Sequence, residues 1–175
     1  PFYPGPGLGG HCIPVDPQYL AWKMKQLALD TKFINLATEI NQSMCEHVVS
    51  KIVHALNLKG KSLTGAKILV LGVAYKNDIA DIRESPGIRL IDRLIKSSAL
   101  VSYHDTFVPQ IKVKERSLDS LELTGKLLSS YDCVVITTAH SYYPIDLIVD
   151  ESSIVVDTRN ATSKYSGELG NVIKL

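Results

Sequence analysis

The second half of the chain alternates short, continuously apolar segments with segments of helical periodicity, and this alternation constrains the fold more than any other feature. Four apolar segments are typical of strands: Lys67 to Val73, Leu100 to Tyr103, Asp132 to Thr137 and Ser153 to Asp157. Strands that are apolar throughout, rather than at every second residue, are buried on both faces. Such strands joined by helices favour a parallel sheet covered on both sides. We therefore predict an α/β fold, with a Rossmann-like doubly wound parallel sheet over residues 66–175.

The segments that connect these strands are predicted to differ in how much helix they contain. Ser85 followed by Pro86 has the pattern of a helix N-cap with proline in the first turn, and the apolar repeat continues to about Ser97. Residues 118–129 are predicted to be helical in part, and Pro144 to Val149 is predicted to be a short helix. We expect the run DTRNAT, Asp157 to Thr162, to follow the last strand and close the edge of the sheet.

Two helices are predicted ahead of the sheet, over residues 17–58. The first runs from Pro17 to about Leu29, and the second from Lys32 to Leu56, a span of about 38 Å. A helix of that length does not fit inside one small domain, so we predict a segment that links two lobes or packs against its copy in a homodimer. A long helix lying on its own domain is the alternative. A polar, glycine-bounded linker follows at 59–65.

A glycine-rich loop, residues 1–16, precedes these helices and leads to a cysteine. Four glycines lie within the six residues from Gly5 to Gly10, and Cys12 follows. Asp16 before Pro17 has the pattern of a helix N-cap, which would place Cys12 just ahead of a helix N-terminus, where the helix dipole favours a thiolate. Cys12 is therefore a candidate nucleophile. The alternative is a buried, inert cysteine behind a flexible loop.

Charged residues follow the first predicted strand, at the edge of a parallel sheet where ligands bind. The strand lacks the GxGxxG fingerprint, since Gly72 is followed by VAYKND, so we do not expect it to hold a dinucleotide pyrophosphate in the usual way. Lys76 and Arg83 are suited to anionic oxygens. Asp78, Asp81 and Glu84 are expected to position these cations. Solvated surface charge is the alternative for each.

Two of these stretches also carry a family resemblance. The runs GPGLGGHCIPVDP, which contains Cys12, and LGVAYKNDIADIRESP, Leu71 to Pro86, resemble the UDP-glucose/GDP-mannose 6-dehydrogenase family. The sequence HCIPVDP, residues 11–17, is most similar to that of the branch that oxidises UDP-N-acetyl-D-glucosamine or UDP-N-acetyl-D-mannosamine. The resemblance implies that this chain corresponds to the C-terminal half of such an enzyme and that a partner N-terminal NAD-binding domain lies outside this sequence.

The resemblance further implies an activity and a site. The family uses NAD to oxidise the C6 alcohol of a sugar nucleotide to a carboxylate, with Cys12 forming a thiohemiacetal and then a thioester, and with Asp16 orienting or activating water. By match to the motifs, Tyr3, Gly5, Gly7 and Gly9 would contact the UDP-sugar through loop amides. Lys76 would also contact the substrate, and Arg83 would reach towards NAD. The chain alone is not expected to turn over.

Composition excludes several other classes of function. The net charge is +1 and there is no basic run of five or more residues, so neither a general nucleic-acid partner nor a membrane surface is expected. The apolar runs are far shorter than a membrane span. The three cysteines are widely spaced without a CxxC pair, which argues against a disulfide framework or a metal site and favours a cytoplasmic location.

Two other functions remain open from the residues themselves. A non-catalytic nucleotide-binding or dimerisation module would explain the sheet and the long helix without chemistry at Cys12. A cysteine hydrolase or acyltransferase would need a histidine beside Cys12, and its candidates are His104 and His140. We do not expect His11 to act as the base, because adjacent loop side chains usually diverge.

Overall fold

A computed structural model describes residues 3–175, so the first two residues of the predicted loop 1–16 lie outside the described residues. The α-helices are α1 (Cys12–Lys25), α2 (Lys32–Leu58), α3 (Pro86–Lys96), α4 (Gly125–Ser129) and α5 (Ile145–Glu151), with a 3-10 turn at Ala161–Lys164. The strands are β1 (Lys67–Leu71), β2 (Leu100–His104), β3 (Gln110–Val113), β4 (Arg116–Asp119), β5 (Cys133–Ile136), β6 (Val155–Asp157) and β7 (Val172–Lys174).

Five parallel strands form the main sheet in the order β2-β1-β5-β6-β7. The chain leaves β1 for β2 on one side and then returns to β5 on the other, so the strand order reverses between β1 and β5. The predicted Rossmann-like parallel sheet is confirmed. Ligands in sheets of this kind bind beyond the carboxyl ends of the strands at such a reversal.

Apolar side chains on both faces of the sheet explain why its strands are apolar throughout. Ile68 and Val70 in β1 pack on one side against a cluster that includes residues of α2 and α3. Leu69 and Leu71 point to the other side, into a smaller cluster that includes residues of α4 and α5. Because successive strand side chains alternate between faces, two covered faces require an unbroken apolar run.

Two local expectations are wrong. The helix predicted to begin at Pro17 begins at Cys12, with His11 as N-cap, so Cys12 is the first residue of the helix and Asp16 lies inside it. Pro14 is tolerated because first-turn amides have no partner within the helix, and Pro17 leaves only the carbonyl of Ile13 without its usual donor.

The segment predicted to be helical in part, residues 118–129, contains helix α4 as its last five residues, and an antiparallel hairpin, β3 and β4, that the sequence did not predict precedes α4. The other wrong expectation concerns the edge of the sheet. The DTRNAT run does not close the sheet edge, because β7 pairs in parallel beyond β6, with Val155 opposite Val172.

The long helix α2 is buried only over its C-terminal half. Val48, Ile52 and Leu56 are inaccessible and belong to the core, whereas Phe33 and Ile40 are 88% and 53% exposed. Helix α1 lies against the N-terminal half of α2, where Gln18 and Thr38 form a hydrogen bond. Within the described residues, no helix has the length and apolar character needed to cross a membrane.

Candidate active site at the carboxyl edge of the sheet

The loop from β1 to α3 begins at Gly72, which only glycine can occupy. Its φ is +85°, and a Cβ there would lie 2.4 Å from Cβ of Thr138 in the loop after β5. Thr137 donates a hydrogen bond to the Gly72 carbonyl, and Thr138 Oγ1 donates to the Ala74 carbonyl at 2.6 Å. The loops after β1 and β5 are therefore joined at the point where the strand order reverses.

The glycine-rich loop is packed against this β1–α3 loop and against two helices. The Leu8 amide donates to Asn41 Oδ1 of α2 at 2.6 Å, and the Leu8 carbonyl accepts from Arg89 Nη2 of α3 at 2.8 Å. The Gly10 amide donates to the Arg83 carbonyl at 2.9 Å. The amides of Leu8 and Gly10 are therefore used within the chain, and they are not among the positions 3, 5, 7 and 9 that were predicted to face a ligand.

A cavity of about 570 Å³ lies between this loop and the carboxyl edge of the sheet. Of the predicted substrate residues, Tyr3, Gly7, Gly9 and Lys76 line it, and Gly5 does not. Its remaining lining residues are Pro4, Leu8, Ile13, Tyr75, Asn77, Ala139 and Arg159. An adjoining cavity of about 450 Å³ shares Tyr3, Pro4 and Arg159 with the first.

Arg159 is the cation that the sequence reading missed. It lies two residues beyond β6, its Nε donates to the Thr137 carbonyl at 3.1 Å, and its guanidinium covers Gly5, where a Cβ would lie 2.5 Å from Nη1. Among residues 3–175 it has no carboxylate partner, and burial lowers the pKa of its guanidinium. Lys76 was predicted because it follows an apolar strand closely, and Arg159 follows another apolar strand in the same way.

Lys76 faces the same cavity from the loop after β1. Its side chain is exposed, and within the described part of the chain it forms no ion pair. Lys76 and Arg159 thus present a point charge and a planar fork to one space, a combination suited to phosphate oxygens. The cavity volume is in the range of a small-molecule site.

Cys12 and Asp16 lie on one face of α1. Both are exposed, and as residues i and i+4 they lie one helical turn apart. Cys12 does not line the cavity, but its neighbour Ile13 does, so the cavity ends beside the first turn of α1. Asp16 does not cap the helix, contrary to the prediction, because the helix starts four residues earlier.

Arg83 is fastened by a carboxylate from its own loop. Its Nε and Nη2 donate to both oxygens of Asp81 at 2.6–3.1 Å, which raises the pKa of Arg83 and lowers that of Asp81. The expectation that Asp81 positions a cation is met in this geometry. Asp78 instead accepts from the Ser141 amide, and Glu84 contacts Arg89 through its carbonyl.

The histidines proposed for a cysteine hydrolase have other partners. His104 Nδ1 lies 2.6 Å from the Leu121 carbonyl, and His140 is bonded to Asp105 and to the Asp78 amide. His11 Nδ1 lies 4.0 Å from Cys12 Sγ, so these adjacent side chains do not diverge as expected. Neither His104 nor His140 is bonded to Cys12, so the hydrolase class loses both of its candidate bases, and His11 is the histidine beside the sulfur.

The sheet domain does not fit NAD in the usual Rossmann manner. An acidic residue after the second strand would normally bind the cofactor ribose. Here both carboxylate oxygens of Asp105 are already used, Oδ2 by the amides of Val73 and Ala74 and by His140, and Oδ1 by the Phe107 amide. At the first turn of α3, Ser85 Oγ accepts from the Ile88 amide, which takes up a donor that would face a pyrophosphate.

Two parts of the chain match the models of one protein family. The UDP binding domain of the UDP-glucose/GDP-mannose dehydrogenase family matches residues 69–164, and the central domain of that family matches residues 1–43. The chain belongs to the UDP-glucose/GDP-mannose dehydrogenase family. The match to the central domain ends within α2, at residue 43, and the match to the UDP binding domain begins within β1, at residue 69.

Similar proteins are dehydrogenases of UDP-N-acetylhexosamines. The chain is 35% identical over 165 residues to the UDP-N-acetyl-D-mannosamine dehydrogenase of Methanococcus maripaludis, covering 90% of this chain and 36% of the relative. It is 30% identical over 143 residues to the UDP-N-acetyl-D-glucosamine 6-dehydrogenase of Salmonella typhi, covering 82% of this chain and 33% of that relative. The chain therefore spans about a third of the length of these curated relatives.

The solved structure of the UDP-D-ManNAc dehydrogenase of Pyrococcus horikoshii has the same fold. It superposes with a TM-score of 0.80 at 27% identity, over 99% of this chain and 40% of the solved one. The UDP-glucose dehydrogenase of Pyrobaculum islandicum superposes with a TM-score of 0.74 at 26% identity, over 97% and 38%.

Proposed function

We propose that this chain is the part of an NAD-dependent UDP-sugar 6-dehydrogenase that carries the nucleophilic cysteine and holds the nucleotide of the substrate. One observation carries the proposal: the loop that leads to Cys12 lines the same cavity as Lys76 and Arg159. The diphosphate would lie between the two cations, and the sugar would extend past Gly9 and Ile13 towards α1.

Cys12 would act on the aldehyde formed from the C6 alcohol. Its thiolate adds to the aldehyde carbon, and the resulting thiohemiacetal has the tetrahedral carbon and alkoxide oxygen from which a second hydride can leave, which a bare aldehyde lacks. Bound NAD would supply the hydride acceptor. Water would then cleave the thioester on Cys12, releasing the acid and the free thiol. Asp16, one turn along the exposed face, would orient that water.

Arg83 would be this chain's contribution to NAD, the rest being supplied by a domain outside this sequence. Its guanidinium is exposed and oriented by Asp81, so it would present its remaining donors to cofactor phosphate or ribose oxygens. We propose a homodimer that packs through α1 and α2. We also propose a UDP-N-acetylhexosamine rather than UDP-glucose as the preferred substrate, because the relatives described above carry those names.

The test is an assay of the full-length protein for NADH formation with UDP-N-acetyl-D-mannosamine, UDP-N-acetyl-D-glucosamine and UDP-glucose. Cys12→Ala should lower the rate of acid formation by about 10³-fold or more, because the nucleophile is lost. Cys45→Ala, which changes the half-buried cysteine of α2, is the matched control and should retain activity.

Two results would oppose the proposal. NADH formation with none of the three sugars would contradict the assigned reaction. A Cys12→Ala enzyme as active as the wild type would leave the reaction in place and remove the covalent mechanism.

A further inference from the structure

Two buried, hydrogen-bonded side chains beside the cavity are not used by the proposed chemistry. Asp105, directly after β2, is inaccessible to solvent, and His140, after β5, is 3% exposed. His140 Nε2 lies 3.1 Å from Asp105 Oδ2. Buried charged groups are costly unless they are paired, so this pair calls for a physical reason.

The pair binds the main chain of the β1–α3 loop at two places. Asp105 Oδ2 accepts from the amides of Val73 and Ala74, at 2.8 and 3.2 Å. His140 Nδ1 accepts from the Asp78 amide at 2.9 Å, and therefore the ring hydrogen is on Nε2 and is donated to Asp105. One connected unit thus fastens both ends of the segment 73–78.

The residues between these two anchors are the ones that line the cavity. Tyr75, Lys76 and Asn77 all face it, and the side chain of Lys76 has no partner of its own within the described residues. Asp78 has a left-handed backbone with φ of +60°, a conformation that needs support from its surroundings. The support comes from His140 and from the Ser141 amide, which donates to Asp78 Oδ1 at 2.8 Å.

We propose that Asp105 and His140 are a positioning pair that sets where Lys76 stands in the substrate cavity, acting only through the main chain of residues 73–78. The inference rests on the proposed function for its ligand, since it deepens the role assigned to Lys76.

The surroundings of the pair suit such a role. The rings of Phe107 and Tyr142 lie against His140, with centroids at 5.2 and 5.4 Å, and exclude water from it. Burial opposes ionisation of Asp105, but hydrogen bonds from His140 and the two loop amides outweigh it and lower the pKa of the carboxyl group. The carboxylate is thereby kept as a strong acceptor for the loop.

Two substitutions divide the functions of the histidine. His140→Gln places an amide donor near the position of Nε2 and keeps the bond to Asp105, but removes the acceptor for Asp78. His140→Asn places a carbonyl oxygen near Nδ1 and keeps the acceptor for Asp78, but leaves Asp105 without its donor. Tyr142→Phe is the matched control, because its hydroxyl contacts the Thr106 amide and His104 and not the loop.

The measurements use the full-length protein with UDP as the probe. Calorimetry should show that His140→Gln weakens UDP binding by about tenfold or more and that Tyr142→Phe leaves UDP binding unchanged. In the NADH assay, the kcat of His140→Gln should change by less than about threefold. In a double-mutant cycle, Lys76→Ala should weaken UDP binding much less in the His140→Gln background than in the wild type, because the two act through one contact. A residue that only supports the fold would give additive effects.

Hydrogen exchange provides a test that needs no ligand. The amides of Val73, Ala74 and Asp78 should be protected in the wild type, and protection at Asp78 should be lost in His140→Gln and kept in His140→Asn. Rapid exchange of these amides in the wild type would overturn the inference even if neither variant folds. Additive effects in the cycle, or unchanged UDP affinity in His140→Gln, would also overturn it. A wild type that binds no UDP would instead contradict the proposed function.

Discussion

Arg159 is the residue on which nucleotide binding should depend most. Arg159 is half-buried and lines both cavities, and within residues 3–175 its guanidinium donates one hydrogen bond, to the Thr137 carbonyl. The free-energy cost of removing this charge from water is therefore offset only in small part until an anion binds. A guanidinium in that state should gain more from a phosphate than a fully solvated lysine does.

We predict that Arg159→Ala weakens UDP binding by about 10- to 100-fold, the value of a hydrogen-bonded charge pair. Arg159→Lys should recover only part of the affinity, since an ammonium cannot make two parallel hydrogen bonds. Isothermal calorimetry on the full-length protein measures both. Arg116→Ala, an equal change of charge on β4, should have no effect. Equal losses at positions 116 and 159 would indicate only a general effect of charge.

Motif and position predicted several residues of the site, but not how the glycine loop is seated. Lys76 was found because a residue just past an apolar strand must lie at the carboxyl edge. Arg159 satisfies the same rule and was missed, since the run around it was assigned to the sheet edge. The bonds of Leu8 to Asn41 and Arg89 join residues far apart in sequence, which no local pattern contains.

Helix α3 begins as its sequence predicts, and its N-cap residue connects it to the loop that follows β1. Ser85 Oγ accepts from the Ile88 amide at 3.3 Å and donates to the Val73 carbonyl at 2.6 Å. The Ser85 side chain therefore caps α3 and also holds the start of the β1–α3 loop through the Val73 carbonyl.

Ser85→Ala should lower the free energy of unfolding by about 1–2 kcal/mol, because a capping acceptor is lost and a buried carbonyl loses its donor. Chemical denaturation measures the change. Thr124→Ala removes the cap of the short, exposed helix α4 and should cost less. A larger effect at Thr124 would contradict the double role of Ser85.

The start of α1 could not be predicted with the same success. The pattern of Asp16 before Pro17 matched an N-cap with proline at the first helical position and favoured a late start. Packing of α1 against α2 and of the loop against α3 outweighs the one backbone bond lost at Pro17. Tertiary contact thus moved a boundary that local preference had set.

At the scale of the whole molecule, the two helices ahead of the sheet leave a large apolar surface uncovered. Exposed side chains on α1 and α2 include Ile13, Val15, Tyr19, Leu20, Trp22, Phe33, Leu36 and Ile40. Between these helices lies a groove of about 450 Å³ that Phe33 and Ile34 help to line. Apolar patches of this kind are typical of protein interfaces.

For the proposed homodimer, we predict that the double substitution Phe33→Asp and Ile40→Asp shifts the full-length protein from dimer to monomer, because two carboxylates would be buried unpaired. Light scattering after size-exclusion chromatography gives the mass. Leu100→Asp, on an exposed residue of β2, is the control and should leave the mass unchanged. A dimer that persists in the double variant would place the interface elsewhere.

The walls of the 570 Å³ cavity come from the stretches 3–13 and 75–77 and from residues 139 and 159, four places that are far apart along the chain. A nucleotide seated there would touch the glycine loop and the sheet at once, and so would act as a bridge that resists their separation. A bound nucleotide should for that reason slow the detachment of residues 3–13 from the sheet domain, and so protect this stretch from proteolysis.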